Sequence, residues 1–194
     1  MRELIILGGA NGSGKTTLAL ELMEETHYSF LNADEIEKTL NELGLGASSI
    51  QAGKLFFEKL NELFAQEKSF IMESTLSGNY LKKIIQKARL QGYKISMVYV
   101  FLKNPETCIE RIKIRVQKGG HFIPDEIVRR RFYRSLEHFW NTFKNLADEW
   151  VMYYNSNEVI EGVATGSKTE FLILNETFFQ IFKSNLENGS PTIE

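Results

Sequence analysis

Apolar positions along this chain follow two periods. Short continuous runs at Leu4 to Leu7, Phe30-Leu31, Ser69 to Met72, Lys94 to Leu102 and Trp150 to Tyr154 read as buried strands. Between them, apolar residues recur every three or four positions, the spacing that gives a helix one greasy face. Thr17-Leu18-Ala19-Leu20-Glu21-Leu22 starts one such helix, and a second runs on from Glu35. Ile50, Gly53, Phe56, Phe57, Leu60 and Phe64 mark a third, after a polar break at Gly44, Gly46, Ser48 and Ser49. Leu81, Ile84, Ile85 and Ala88 mark a fourth, stopped by Gly92. Asn104-Pro105 caps a fifth, carrying Ile109, Ile112 and Val116 and ended by Gly119-Gly120. Pro124 opens a sixth, with the stripe Val128, Phe132, Leu136, Phe139 and Phe143. Residues 158–174 read as a hairpin turning near Gly166-Ser167, followed by a short helix and a frayed tail over 183–194.

Strands that alternate with helices predict an α/β fold of three layers, with a five-stranded parallel sheet covered on both faces. The hairpin and short helix extend it, and residues 1–182 form a single domain. Ligands of such sheets sit beyond the carboxyl ends of the strands. Gly8, Asp34 and Glu73 all fall at those ends.

Composition narrows the setting. With 194 residues and 43% hydrophobic content the chain can bury a full core without staples. The single Cys108 excludes an internal disulfide and a cysteine-cluster zinc site, which fits a reducing compartment, and its place in a helical pattern reads as packing. Leu4 to Leu7 is too short for a signal sequence and no apolar run approaches the length of a membrane span, so a soluble cytoplasmic protein is expected. The net charge of −2 argues against a nucleic-acid-binding surface over the whole molecule. Yet residues 111–134 carry +6, leaving −8 on the remainder, and a positive segment on an acidic body calls for an anionic partner.

The candidate chemistry starts at Gly9-Ala10-Asn11-Gly12-Ser13-Gly14-Lys15-Thr16, between the first strand and the first helix. G-x-x-x-x-G-K-[ST] in that context is a phosphate-binding loop, or P-loop. Its glycines turn sharply, its backbone N–H groups and the helix N-terminus face an anion, and Lys15 adds an ammonium. Thr16 supplies a hydroxyl for Mg²⁺, and Gly9, Asn11, Gly12, Ser13, Gly14, Lys15, Thr16 and Thr17 are the residues expected to bind the nucleotide. ATP or GTP with Mg²⁺ is the implied ligand.

The rest of the site separates transfer from motion or signalling. Asp34, after the second strand, is placed to accept a proton from an acceptor hydroxyl, and Asp34-Glu35-Ile36-Glu37 also reads as a helix-capping box. Glu73 ends an apolar strand as a Walker B acid does, suited to a magnesium-bound water or to substrate hydroxyls. Ser74, Thr75 and Ser77 add hydroxyls beside it. Arg130, Arg131 and Arg134 lie off the apolar stripe of their helix, where arginines can offset charge on a moving phosphoryl group. His121 lies in a turn that, with residues 118–135, forms a candidate lid. His27 and His138 receive no role. Leu76-Ser77-Gly78 begins like an ABC-transporter signature, but it follows the acidic strand instead of preceding it.

These motifs together, with Asn32-Ala33-Asp34-Glu35-Ile36, Glu73 to Gly78, His121-Phe122-Ile123-Pro124 and Arg130 to Leu136, resemble the zeta-toxin family of P-loop kinases, over about residues 1–155. More narrowly they resemble a bacterial branch of zeta-toxin-like ATPases. The resemblance implies nucleotide-dependent phosphorylation of a sugar hydroxyl, best known for UDP-N-acetylglucosamine. It implies that Lys15 binds phosphate, Asp34 is the base, Glu73 contacts substrate, and Arg131 and Arg134 stabilise the transferring phosphate. It also implies an antitoxin partner. The chain departs from the pattern at His121, where the family has an arginine, and in being shorter. The leading expectation is a small-molecule kinase. The alternatives are a polynucleotide 5′-hydroxyl kinase or nucleic-acid-linked ATPase, drawn from the basic segment, and a non-catalytic nucleotide switch.

Overall fold

The computed structural model describes residues 2–42, 49–78, 80–156 and 159–189. Among these, β1 (Glu3–Gly8), β2 (Ser29–Leu31), β3 (Phe70–Ser74), β4 (Lys94–Phe101), β5 (Glu149–Asn155), β6 (Ile160–Ser167) and β7 (Phe171–Ile173) form one sheet in the order β2-β3-β1-β4-β5-β6-β7. The first five are parallel to one another, and β6 and β7 continue the sheet antiparallel. The helices are α1 (Lys15–Thr26), α2 (Ala33–Glu42), α3 (Ser49–Ala65), α4 (Tyr80–Leu90), α5 (Pro105–Gln117), α6 (Asp125–His138), α7 (Lys144–Leu146) and α8 (Glu176–Gly189). A π-helical turn, Phe139–Phe143, joins α6 to α7.

Burial on both faces explains why β1 is apolar at each position from Leu4 to Leu7 rather than at alternate ones. Leu4 and Ile6 join the larger core with Phe70, Met72, Met97 and Phe132. Ile5 and Leu7 point the other way, to a smaller core with Ala19 and Ile71 beneath α1. This is the three-layer parallel arrangement that the alternating pattern predicts, and β4 is central to it, between β1 and β5.

Several local expectations are corrected. In α3 the buried line is Ala52, Phe56, Leu60 and Phe64, while Ile50 and Phe57 face out, because neighbours four apart share a face and Phe57 lies one step round the helix. The hairpin does not turn at Gly166-Ser167, since both belong to β6, and the turn follows at 168–170. The helix expected to be short runs Glu176–Gly189, anchored by Phe179 and Phe182 in the core, and takes in residues 183–189 of the stretch expected to fray. The polar break at Gly44, Gly46 and Ser48 lies outside the described residues, as do Glu158 and residues 190–194. Among the described residues no helix is long and apolar enough to cross a membrane.

Candidate active site

The loop between β1 and α1 has the backbone that its glycines permit. Gly9 sits at φ +146°, and a Cβ there would collide with the Val100 carbonyl of β4. Gly14, the N-cap of α1 at φ +96°, offers no side-chain cap, so the first-turn N–H groups of a 12-residue helix face outward for an anion. The loop rests on α5: a Cβ on Gly12 would press on the Cys108 carbonyl, and Cys108 itself is fully buried, as a packing residue should be.

Lys15 is 4% exposed, and its Nζ donates to the Ala10 carbonyl at 2.8 Å and pairs with Glu73 Oε1 at 3.4 Å. Thr16 Oγ1 donates to Glu73 Oε2 at 2.8 Å, and Asn32 Nδ2 donates to the same oxygen at 2.9 Å. Glu73, with its side chain 11% exposed, is therefore no solvated strand-end carboxylate but the acceptor for three donors from two loops. Asn32 was not singled out in the sequence. Its Oδ1 accepts the Asp34 N–H at 2.8 Å and its carbonyl accepts the Ile36 N–H, so Asn32, and not Asp34, caps α2. Asp34 then falls in the first turn with its carboxylate exposed. Beside it, burial raises the Glu35 carboxyl above the usual range and the Glu73 charge raises it further, against the pull of Lys38.

The donor set suits Mg²⁺. A hydroxyl and a carboxylate oxygen 2.8 Å apart are hard ligands of the kind that ion takes, with one or two protein carboxylates and the remainder from phosphate and water. Among the described residues no cluster of three His, Cys, Asp or Glu forms a closed cage for another metal. Thr16 and Glu73 are the residues that would hold the ion, whose charge would neutralise phosphate oxygens.

Of the three arginines expected at the phosphates, only Arg131 touches the loop, its Nη1 donating to Asn11 Oδ1 at 3.0 Å. Arg130 and Arg134 are exposed. The His121 side chain is also exposed, and that turn is held through its backbone, its carbonyl accepting from Arg115 Nη2 at 3.1 Å. Thr75 Oγ1 lies 2.7 Å from Ser77 Oγ, so the hydroxyls beside Glu73 bond one another. Between them Leu76 adopts φ +56° with its side chain fully buried, its N–H donating to Ser74 Oγ and its carbonyl 2.6 Å from His138 Nδ1.

A further wall comes from the end of β5. Asn155 Nδ2 donates to the Ser13 carbonyl at 2.8 Å, and Arg111 of α5 donates to the carbonyls of Asn155 and Ser156. These residues were not anticipated either. The signal was present, because Asn155-Ser156 follow an apolar strand just as Asp34 and Glu73 do.

A P-loop at the first strand, an acidic residue ending the neighbouring strand β3, and a mostly parallel sheet define a P-loop kinase-like α/β domain. The chain belongs to the AAA domain family AAA_33, which matches residues 4–139. An uncharacterized protein of Haemophilus influenzae is 33% identical over 130 residues, covering 67% of this chain and 92% of that protein. Cytidylate kinases of Saccharolobus islandicus are 32% identical over 84 residues, which cover 39% of this chain and 44% of theirs, so the match spans less than half of those enzymes. Among solved structures, the AvrRxo1-ORF1:AvrRxo1-ORF2 complex with ATP superposes with a TM-score of 0.77 at 18% identity, over 100% of this chain and 65% of that one. A structure from the PezAT chromosomal toxin-antitoxin system of Streptococcus pneumoniae gives 0.62 at 15% identity, over 97% and 87%.

Proposed function

We propose that this chain is a kinase that uses the Mg²⁺ complex of ATP or GTP to phosphorylate a hydroxyl of a small acceptor. The observation that carries the reading is the convergence of Lys15 and Thr16 on Glu73 beneath an uncapped helix N-terminus. Lys15 and the first-turn amides of α1 hold the terminal phosphates, and Arg131, at the mouth of the loop, swings from Asn11 to the β- and γ-phosphates, where it offsets charge on the transferring group. Asp34 serves as general base: its exposed carboxylate is open to an acceptor, and Asn32 fixes its backbone relative to Glu73. The acceptor oxygen bonds to the γ-phosphorus as the bond to the β–γ bridging oxygen breaks, and the hydroxyl proton passes to Asp34.

The cytidylate kinase relatives support phosphoryl transfer, and the ATP in the AvrRxo1 complex supports the donor. UDP-N-acetylglucosamine is the first acceptor to test, on the zeta-toxin resemblance and the fold shared with the PezAT structure. That toxin-antitoxin system and the paired AvrRxo1 chains also support a partner protein for this chain.

Incubation with Mg-ATP and a metabolite pool containing UDP-N-acetylglucosamine is expected to yield a product heavier by one phosphate. Asp34→Asn is expected to bind Mg-ATP as tightly as the parent while losing about 100-fold or more in transfer. Transfer undiminished in that variant removes Asp34 from the mechanism, and Mg-ATP binding that survives Lys15→Ala removes the site.

A further inference from the structure

Helix α6 carries a second face that the apolar stripe does not account for. Arg131, Ser135 and His138 are spaced four and three apart, so they line up along one side of the helix. Each reaches a different element. Arg131 Nη1 donates to Asn11 Oδ1 in the P-loop, Ser135 Oγ lies 3.2 Å from Tyr99 Oη of β4, and His138 Nδ1 lies 2.6 Å from the Leu76 carbonyl in the loop after β3. The central contact is sealed, with Ser135 and Tyr99 at 0% and 1% exposure.

The far contact is unusual. Leu76 holds a left-handed backbone, uncommon for a leucine, and does so in the middle of Glu73-Ser74-Thr75-Leu76-Ser77-Gly78. Its fully buried side chain and the Ser74 Oγ bond to its N–H fix one side of that peptide, and His138, as the Nδ1–H tautomer, fixes the other. The hydroxyls of Thr75 and Ser77, which bond one another, flank this residue.

We infer that His138 is a positioning residue: it holds the 74–78 loop in its left-handed turn and, through the α6 face shared with Arg131, couples that loop to occupancy of the P-loop. When Arg131 exchanges Asn11 for a phosphate, the load changes on the same helix face that carries the tether of the acceptor loop. This coupling rests on the kinase reading above, whereas the tether itself does not.

The test is amide hydrogen exchange of residues 74–78 in the intact chain, for the parent, His138→Leu, His138→Asn and Arg131→Gln, with and without Mg-ADP. Without nucleotide, His138→Leu is expected to speed exchange of the loop about five- to tenfold, the loss of one hydrogen bond. His138→Asn, whose Nδ2 replaces the lost donor, restores slow exchange. Mg-ADP slows exchange at 74–78 in the parent and in His138→Asn, but not in His138→Leu or Arg131→Gln.

Equal loop exchange in the parent and His138→Leu overturns the tether. Protection of 9–16 by Mg-ADP in the parent with none at 74–78, or loop protection that persists in Arg131→Gln, overturns the coupling and leaves the kinase reading standing. Mg-ADP that fails to protect 9–16 in the parent overturns the kinase reading and the coupling, while the nucleotide-free comparison still decides the tether. Arg131→Gln, at a half-buried site, reads the coupling from the other end if His138→Leu fails to fold.

Discussion

Glu73 takes an ammonium, a hydroxyl and an amide on two oxygens, and each donor makes a different demand on it. Asn32 is the most informative to change, because one side chain caps α2 and steadies Glu73. Asn32→Ala is expected to cost about 1–2 kcal/mol in urea unfolding, since a cap and a hydrogen bond go together. Asn32→Asp keeps the cap oxygen but sets a second carboxylate against Glu73. It is expected to unfold at lower urea than the parent, because the lost hydrogen bond and the like-charge contact outweigh the retained cap, and to shift the Mg²⁺ titration of ATP binding; identical titrations would refute the link. Cys108 offers a contrasting residue. Burial pushes its thiol up to about 12, against the lowering pull of Lys15 and Arg111, so labelling by a disulfide reagent at pH 8 is expected only after unfolding. Rapid labelling of the folded chain would show that the P-loop floor opens. The P-loop was legible because its eight residues are contiguous and each constraint is local. Asn32 was not, because a cap oxygen two residues away is a better fit than Asp34 only once the start of α2 at Ala33 is known.

Helix α6 shows which forces place an element and which use it. Val128, Phe132 and Leu136 are at most 1% exposed, and each buried side chain contributes about 1.5–3 kcal/mol, against about 1 kcal/mol for a hydrogen bond. The stripe therefore fixes where α6 lies, and the polar face takes whatever contacts that placement offers. For this reason the stripe could be read from spacing while the roles of its neighbours could not. Partners of Arg131, Ser135 and His138 lie 120, 36 and 62 residues away. The π-helical turn that follows, closed by the Lys144 N–H to the Phe139 carbonyl, likewise leaves no mark in a pattern that continues to Phe143. At the opposite end of the site the strand-to-loop junction is backbone-limited. Gly9→Ala is expected to abolish nucleotide binding and lower the melting temperature, because the new methyl meets the Val100 carbonyl at a φ that alanine resists. Calorimetry showing parent-like stability and binding would contradict that geometry.

Across the whole molecule, the candidate site and a cluster of ion pairs lie at opposite ends of the sheet. At the amino ends of β1, β4 and β5, Lys94 pairs with Glu149 at 2.6 Å and approaches Glu3, Ser96 bonds both acids, and Asp148 takes Lys168, Arg89 and the Ile95 N–H. The Lys94 hydrogen bond lowers the Glu149 carboxyl more than burial raises it. Burial also raises Asp148, but Lys168, Ile95 and Arg89 together outweigh it and leave the group lowered. A lowered carboxyl stabilises the fold above its unfolded value, 3.8 for Asp148 and 4.5 for Glu149, and this is lost as pH falls through the lower folded value. Lys94, raised by the Glu149 bond, acts in the other direction, its contribution failing as pH climbs above 10.5. Glu35, raised, opposes the first two and relaxes as it protonates. Thermal midpoints are thus expected to stay level through neutral pH and drop below about pH 4, and Glu149→Gln should blunt that acid drop modestly, because both acids are partly exposed and screened. A profile with an unchanged drop in that variant would assign it elsewhere. The basic segment looks different once folded: Lys113 pairs with Asp125 and Arg129 with Glu106, so part of its charge is spoken for within the chain.

The Lys15–Glu73 ion pair carries a last consequence. A polyphosphate that captures the ammonium leaves a nearly buried anion without its counter-charge, and the least costly replacement is a small dication delivered to the same oxygens. Nucleotide and metal would then enter as an exchange of one cation for another, each tightening the other's hold by an equal factor.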